Sequence, residues 1–337
     1  MRQSGWSRTD CWQGQFSENL QEDVLISELL YEIGLQMRNP DSARMWEILA
    51  CPSCNHDLKK TENGAVCIEC QSEYDYSASG ALDLRLKNRK SYSLEFELIT
   101  PPFPKSEFDF KLLNEIKKPE VDFSGISVPF HLTRELLSNF PKAKGEGSFM
   151  LDLGCGNTIH REICELAGFE YIGLDYHSPQ ATFMGDAHSL PFKNESFEFI
   201  LSIAVLEHVR FPFIMMREAF RVLKRKGKFV GTVSFLEPFH GDSFYHHTHF
   251  GVHNSLKFGG FKVEKISPNK KWSALRAQAA MGLFPKMPHF LSASLVLPLQ
   301  MLSVLWWKMG NYLNPPKTEI DRLYRTAGSF SFIATKE

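Results

Sequence analysis

Two Cys-x-x-Cys pairs, Cys51/Cys54 and Cys67/Cys70, stand twelve residues apart in "CPSCNHDLKKTENGAVCIEC". Each pair fits a tight turn that offers two thiolates, and two such turns close a tetrahedral shell of four sulfurs around a zinc ion. A closed shell leaves no position for water, so the ion is expected to be structural. His56 is a competing ligand. A redox-active Cys-x-x-Cys is the other reading, but it wants a strand-to-helix context that this segment lacks. The chain has seven cysteines, and an odd number argues against a disulfide framework and for reduced thiols.

A second constellation begins at "FMLDLGCGNTIH", where an apolar run leads into Asp152, Gly154, Cys155 and Gly156. Glycines at such a turn let a ligand approach the backbone, and the spacing predicts a helix from Thr158 through Ala167. Ile159 stands where a dinucleotide fingerprint wants its third glycine, which disfavours pyrophosphate binding. The next apolar run, "YIGLD", ends in Asp175 and is followed by Tyr176. An acidic residue at the tip of the second strand is placed to accept ribose hydroxyls. "GDAHSLPF" then puts Asp186 and Ala187 in a loop, and "FEFILSIAV" runs into the turn Leu206-Glu207-His208.

With the Asp-x-Gly-x-Gly loop, the Gly-Asp-Ala-x-x-Leu-Pro-Phe loop and the Leu-Glu-His turn in this order, the chain resembles the class I S-adenosylmethionine-dependent methyltransferases, of the methyltransferase type 11 group. The resemblance covers about residues 147–266 and the end of the chain. It implies that S-adenosylmethionine is the cofactor, with Gly154, Cys155 and Gly156 along its methionine moiety and Asp152 beside the amino group. Asp175, with Tyr176 after it, would hold the ribose. Asp186 and Ala187 would meet the adenine edge, and Leu206 would face the transferred methyl. Glu198 stands where the family often has Asp; it lies on a strand and is not expected to touch the cofactor. Without the resemblance, the same glycines and acids suit a doubly wound sheet that binds another nucleotide, a nicotinamide included.

His208, at the mouth of the fourth strand, is the candidate general base, needed only if the acceptor must lose a proton; a packing or helix-start histidine is the plainer reading. "FHGDSFYHHTHFGVHNSL" follows the fifth strand and carries His240, His246, His247, His249 and His253 in an expected loop, where contact with substrate or solvent is favoured over a second metal. The fourth strand ends in "SIAVLEH" and not in the Asn/Asp-Pro-Pro-aromatic turn of amino-methylating relatives, and Asn314-Pro315-Pro316-Lys317 lies far downstream. An oxygen or carbon of a small-molecule or lipid-linked acceptor is therefore favoured. A ribbon ahead of such a domain also resembles certain ribosomal RNA guanine methyltransferases. The formal net charge of -1 argues against nucleic acid, and the basic run "KRKGK" at 224–228 reads as a turn. A third reading is an inactive, methyltransferase-like binding module.

The elements that must position these residues follow from the alternation of apolar strands and helices from Gly147 onward, which signals a wound parallel sheet. The expected fold is α/β: a doubly wound, seven-stranded Rossmann-like sheet with a small N-terminal zinc ribbon and a helical insertion before the last strand. The expected segments are a helical lead over 1–45 with a possible Ser17 cap, the ribbon over 46–88, a connector and leading helix over 89–146, and the methyltransferase domain over 147–337. "GFKVEKI" suits the sixth strand and "GSFSFIATKE" the seventh, with the insertion at 267–327 between them.

That insertion contains "MPHFLSASLVLPLQMLSVLWW", 21 residues without a formal charge, counting His289 as neutral. Its two flanks lead to strands of one sheet, so a single crossing would put those strands on opposite sides of a bilayer. Two readings follow: a lid over the acceptor pocket, or a peripheral membrane element through 284–309. The opening residues show no apolar h-region with a small-residue cleavage site, and a cytoplasmic location, peripheral at the membrane in the second reading, is expected.

Overall fold

The computed structural model describes residues 43–96, 112–129, 131–313 and 319–337. The helix expected behind Ser17, the proline-rich "TPPFPKSEFDF" and the Asn314–Lys317 stretch lie outside the described residues.

Among the described residues the chain divides into two compact units, one of residues 42–233, 247–267 and 330–337, the other of 234–246 and 268–329. The larger unit opens with a short helix α1 (Ala43–Ile48) and a three-stranded antiparallel ribbon, β1 (Leu58–Thr61), β2 (Gly64–Cys67) and β3 (Glu73–Asp75). β4 (Leu82–Asp83) leaves the ribbon and joins the main sheet. The remaining strands are β5 (Phe149–Leu153), β6 (Glu170–Asp175), β7 (Phe183–Met184), β8 (Phe197–Ile203), β9 (Leu223–Ser234), β10 (Lys262–Pro268) and β11 (Ser329–Thr335).

The sheet order is β10-β11-β9-β8-β5-β6-β7-β4. β4, β7, β6, β5, β8 and β9 run parallel. At the other end, Lys226 N–H bonds Lys336 O and Lys336 N–H bonds Gly227 O, while Phe235 N–H bonds Gly328 O near the far ends of both strands. As β9 advances β11 therefore recedes, which makes the sheet mixed. The central strands are apolar runs because both faces are covered: every residue of β5 is buried, as are Phe197, Phe199, Ile200 and Leu201 on β8. The core continues through α2 (Arg134–Leu137), whose N-cap Thr133 hydroxyl accepts from Leu136 N at 3.1 Å, and includes Phe140, Phe199 and Ile333.

Four expectations shift. The sheet has eight strands because β4 pairs parallel with β7 at the edge. The glycine-loop helix, α3 (Arg161–Leu166), starts later than Thr158 because Gly154, Gly156 and Thr158 all hold positive φ, which no right-handed helix admits. The basic run 224–228 lies inside β9 rather than in a turn before it, with Lys226 at φ 62 marking the irregularity. His249 and His253 belong to a helix, α5 (His249–Gly259), capped by the Thr248 hydroxyl and ended by Gly260 at φ 103, which also delays the sixth strand to Lys262. Before it, α4 (Pro212–Val222) begins with Pro212 at its first position, where the missing N–H costs nothing.

The smaller unit is helical: α6 (Ala274–Ala277), a π-helical turn Gln278–Leu283, the long α7 (His289–Leu313) and α8 (Glu319–Thr326). Its internal ties are Trp272 Nε1 to Glu237 Oε1 at 2.6 Å, Gly328 N to Trp272 O at 2.8 Å and Gln300 Nε2 to Ser273 Oγ at 2.5 Å.

Candidate active site

The motif residues follow the carboxyl ends of four adjacent parallel strands. The Asp152–Gly156 loop leaves β5, Asp175 ends β6, Asp186 follows β7 and the Leu206–His208 3₁₀ turn follows β8. The chain winds outward in opposite directions from β5 and β8, and that reversal opens the crevice where such sheets bind ligands.

In the glycine loop, Gly154 N and Cys155 N both donate to Leu174 O, at 2.8 and 3.1 Å, locking the loop to β6. Gly154 is required on two counts: its φ is +79°, and a Cβ there would meet Val205 Cγ2 at 2.4 Å. Gly156, at φ +50°, has open space where its Cβ would be. Its N–H donates to Asp175 Oδ2 at 3.1 Å, so the loop and the second acidic residue are one hydrogen-bonded assembly.

Asp152 is 1% exposed. Tyr171 Oη donates to its Oδ2 at 2.7 Å and His160 Nδ1 lies 3.7 Å from the same atom. Asp152 Oδ1 is buried and has no hydrogen-bond partner among the described residues. A buried carboxylate with one oxygen unmet is costly until a cation or donor reaches it. Burial, with Asp152 close by, pushes the Tyr171 hydroxyl far above its ordinary range, which keeps it a proton donor to the carboxylate. Burial likewise raises the Cys155 and Cys164 thiols, so neither is a thiolate nucleophile.

Asp175 Oδ1 accepts from His177 N and Ser178 N at 2.8 and 2.9 Å, which fixes the carboxylate at the tip of β6. Tyr176 is exposed, with its ring 5.4 Å from the Arg85 guanidinium. Asp186 Oδ1 takes the His188 N–H at 2.9 Å and contacts His188 Nδ1 at 2.6 Å, while His188 Nε2 accepts from Phe211 N. Burial opposes ionisation of Asp186, but the His188 ring and backbone bonds outweigh it and hold the carboxyl below its ordinary value. Ala187 sits between the two. Glu198 is occupied by the Ser148 hydroxyl and Lys224, at 3.2 and 3.3 Å.

Leu206 is 2% exposed, so its side chain packs in the core; the adjoining Glu207 is fully buried and His208 is partly exposed. Of the loop histidines, His247 and His253 are buried, and burial lowers the pKa of His249, whose ring lies 5.5 Å from Phe330. His240 and His246 stack on each other at 6.4 Å.

The four cysteines converge. All four Sγ atoms lie within 4.8 Å of one another, with Cys51–Cys70 at 3.6 Å and Cys54–Cys67 at 3.4 Å. Zinc–sulfur bonds of about 2.3 Å in a tetrahedron bring sulfurs to within about 3.8 Å of each other, so the donor set fits zinc and His56 is not part of the cluster. Burial raises the Cys54 thiol while the Ser72 hydroxyl lowers that of Cys70.

The ribbon is also tied to the loops after β6 and β7, through residues that sequence reasoning missed. Lys90 Nζ donates to Pro52 O at 2.7 Å and to Ser189 Oγ at 2.8 Å, and Ser189 in turn donates to Pro52 O. Tyr92 Oη donates to His188 O, and Arg85 Nη1 to Tyr176 O at 3.3 Å. Ala50 N bonds Pro191 O and Lys193 N bonds Ile48 O. Tyr171, His160 and His188 were also missed. Only His188 left a signal, since Asp followed two residues later by a donor is the pattern of an Asx turn.

No curated protein sequence matches the chain. Residues 151–231 match the family model described as a methyltransferase domain. Among solved structures, a chain of the complex between the Haloferax volcanii Trm112 methyltransferase activator and its methyltransferase is 18% identical, covering 60% of this chain and 87% of that one at a TM-score of 0.40. Haemonchus contortus phosphoethanolamine N-methyltransferase 2 in complex with S-adenosyl-L-methionine is 18% identical over 59% of this chain and 50% of that one, at 0.36. An S-adenosylmethionine-dependent methyltransferase from Mesorhizobium loti is 16% identical over 56% and 91%, also at 0.36. The loops after β5, β6, β7 and β8 fall inside the matched segment, so the motif residues from Asp152 to His208 all lie within what the methyltransferase-domain model covers.

Proposed function

We propose that this protein transfers a methyl group from S-adenosylmethionine to an oxygen or carbon of a small-molecule or lipid-linked acceptor. The observation that carries the reading is the buried Asp152 carboxylate with an unmet oxygen, beside a glycine loop bonded to Asp175. The cofactor supplies an electrophilic methyl on a sulfonium and carries an ammonium that suits Asp152. Asp152 binds that ammonium, with Tyr171 holding the carboxylate in place. Gly154, Cys155 and Gly156 admit the methionine moiety against the backbone. Asp175 accepts from the ribose hydroxyls, beside Tyr176. Asp186 and Ala187 meet the adenine edge, with His188 fixing the loop.

An in-line displacement is accelerated chiefly by holding donor and acceptor in line, worth up to about 7–11 kcal/mol in well-oriented systems. Leu206, packed in the core, shapes the wall behind the turn at the end of β8. His208, partly exposed in that turn, is the base where the acceptor must lose a proton. Cys51, Cys54, Cys67 and Cys70 hold a structural zinc. Four thiolates suit a reducing compartment, and we assign the protein to the cytoplasm.

Titration calorimetry with S-adenosylmethionine tests the reading. Binding is expected in the intact chain, weakened at least about tenfold by Asp175→Ala, since a lost bond to a charged group is worth about 1.5–3 kcal/mol. No heat at millimolar cofactor would favour an inactive module, and tighter binding of a nicotinamide would replace the cofactor assignment.

A further inference from the structure

α7 is apolar on more sides than a protein partner can cover. Within its 22-residue stretch His289–Gly310, an 18-residue window has a mean hydropathy of 1.6 and is only 6% buried. At 100° per residue, Leu297, Phe290, Leu305, Leu302, Trp306 and Leu299 follow one another around the helix, and each is exposed by 46–73%. They span an arc of about 200°. The remaining side, about 160°, carries the buried Ser292, and Gln300, which reaches Ser273 within the same unit. A helix seated in a partner's groove, or against a second copy, buries a stripe of about 100° and would leave the rest of this arc in water. Lipid surrounds as much of a helix as sinks into it.

The charges around the helix choose the kind of lipid. Residues 267–318 contain Lys270, Lys271, Arg276, Lys286, Lys308 and Lys317 and no Asp or Glu, in a chain whose formal net charge is -1. Trp306 and Lys308 both lie in the last turns, and each is a residue type that settles at the headgroup level.

Twenty-five residues rise about 37 Å, enough to cross a hydrocarbon core of about 30 Å. Connectivity forbids the crossing. The chain enters α7 from β10 and leaves it for β11, and these are neighbouring strands of one sheet. Between α7 and β11 there is only a short connection, whose α8 carries Glu319, Asp321, Arg322 and Arg325, so no second span returns.

We propose that α7 lies within one leaflet, along the surface of an anionic bilayer, with the arc from Leu297 through Leu302 to Leu299 in the acyl region and the flanking lysines at the headgroups.

Flotation of the full chain with vesicles tests this. Binding to vesicles of phosphatidylcholine with about a third phosphatidylglycerol is expected, weakening as salt rises, with little binding to phosphatidylcholine alone. Leu302→Glu and, separately, Trp306→Gln are expected to weaken binding at least about tenfold with unchanged circular dichroism and melting. Both positions are exposed, so at least one variant should retain the fold. Absence of flotation on the anionic vesicles, or equal binding to both vesicle types, would overturn the proposal. So would a concentration-dependent dimer in the absence of vesicles that either substitution dissolves, since the arc would then be the face of a second copy. None of these outcomes depends on the cofactor, so failure here leaves the methyltransferase reading standing.

Discussion

Asp152 shows how one residue carries two kinds of consequence. Its carboxylate is buried with one oxygen bonded to Tyr171 and the other unmet, so Asp152→Asn should weaken S-adenosylmethionine by about tenfold or more. The same change should leave the free protein as stable as before or slightly more so, because it removes a buried charge whose Oδ1 has no partner among the described residues. Calorimetry and thermal melting of the one variant check both signs. Asp186 makes a prediction about pH. Its folded pKa lies below the ordinary value, against burial and because of His188. The stability it supplies is therefore fully present above the unfolded carboxylate pKa, near 3.9, and is lost as pH falls through the lower folded value. Denaturant midpoints at pH 6 and below pH 4 should fall less in Asp186→Asn than in the parent. Each of these roles traces to a motif readable in the chain, whereas Tyr171 and His160 became visible only once β6 and α3 were folded against β5.

At the scale of elements, the ribbon gains a purpose that its cysteines alone do not reveal. The cluster holds the turns around Pro52 and β3. From there β4, Arg85, Lys90 and Tyr92 reach the loops after β6 and β7. Stripping zinc with a chelator should therefore lower cofactor affinity while far-ultraviolet circular dichroism keeps the signal of the main sheet. Tyr92→Phe, which removes the hydroxyl that bonds His188 O, should cost about 1 kcal/mol, or several-fold in affinity. A ribbon that merely decorates the chain predicts no change in either experiment. The links were hidden in the sequence because each is a single side chain reaching a backbone carbonyl or a lone hydroxyl many residues away, with no periodicity to betray it.

At the scale of the molecule, the sheet order matters most for the insertion. Because β10 and β11 are neighbours, the sheet does not need α7 for its own pairing. Replacing 289–313 with a flexible linker should leave cofactor binding within about twofold and should raise solubility by removing the exposed apolar arc. Calorimetry and sedimentation of the shortened chain check this. Loss of cofactor binding in that variant would instead favour a lid that belongs to the active site.

The sequence by itself determined the cysteine quartet, the order of the strands that bear the site and the presence of a helical insertion. These are local or periodic features, written in spacing and in alternation of apolar residues. Tertiary structure decided what no local pattern encodes. Positive φ at Gly154, Gly156 and Thr158 delays α3, and β4 extends the sheet from the ribbon. Leu206 turns into the core, while Asp152 keeps one buried oxygen open. Such outcomes depend on which distant atoms come within hydrogen-bond reach or collide, and only the packed chain fixes those distances.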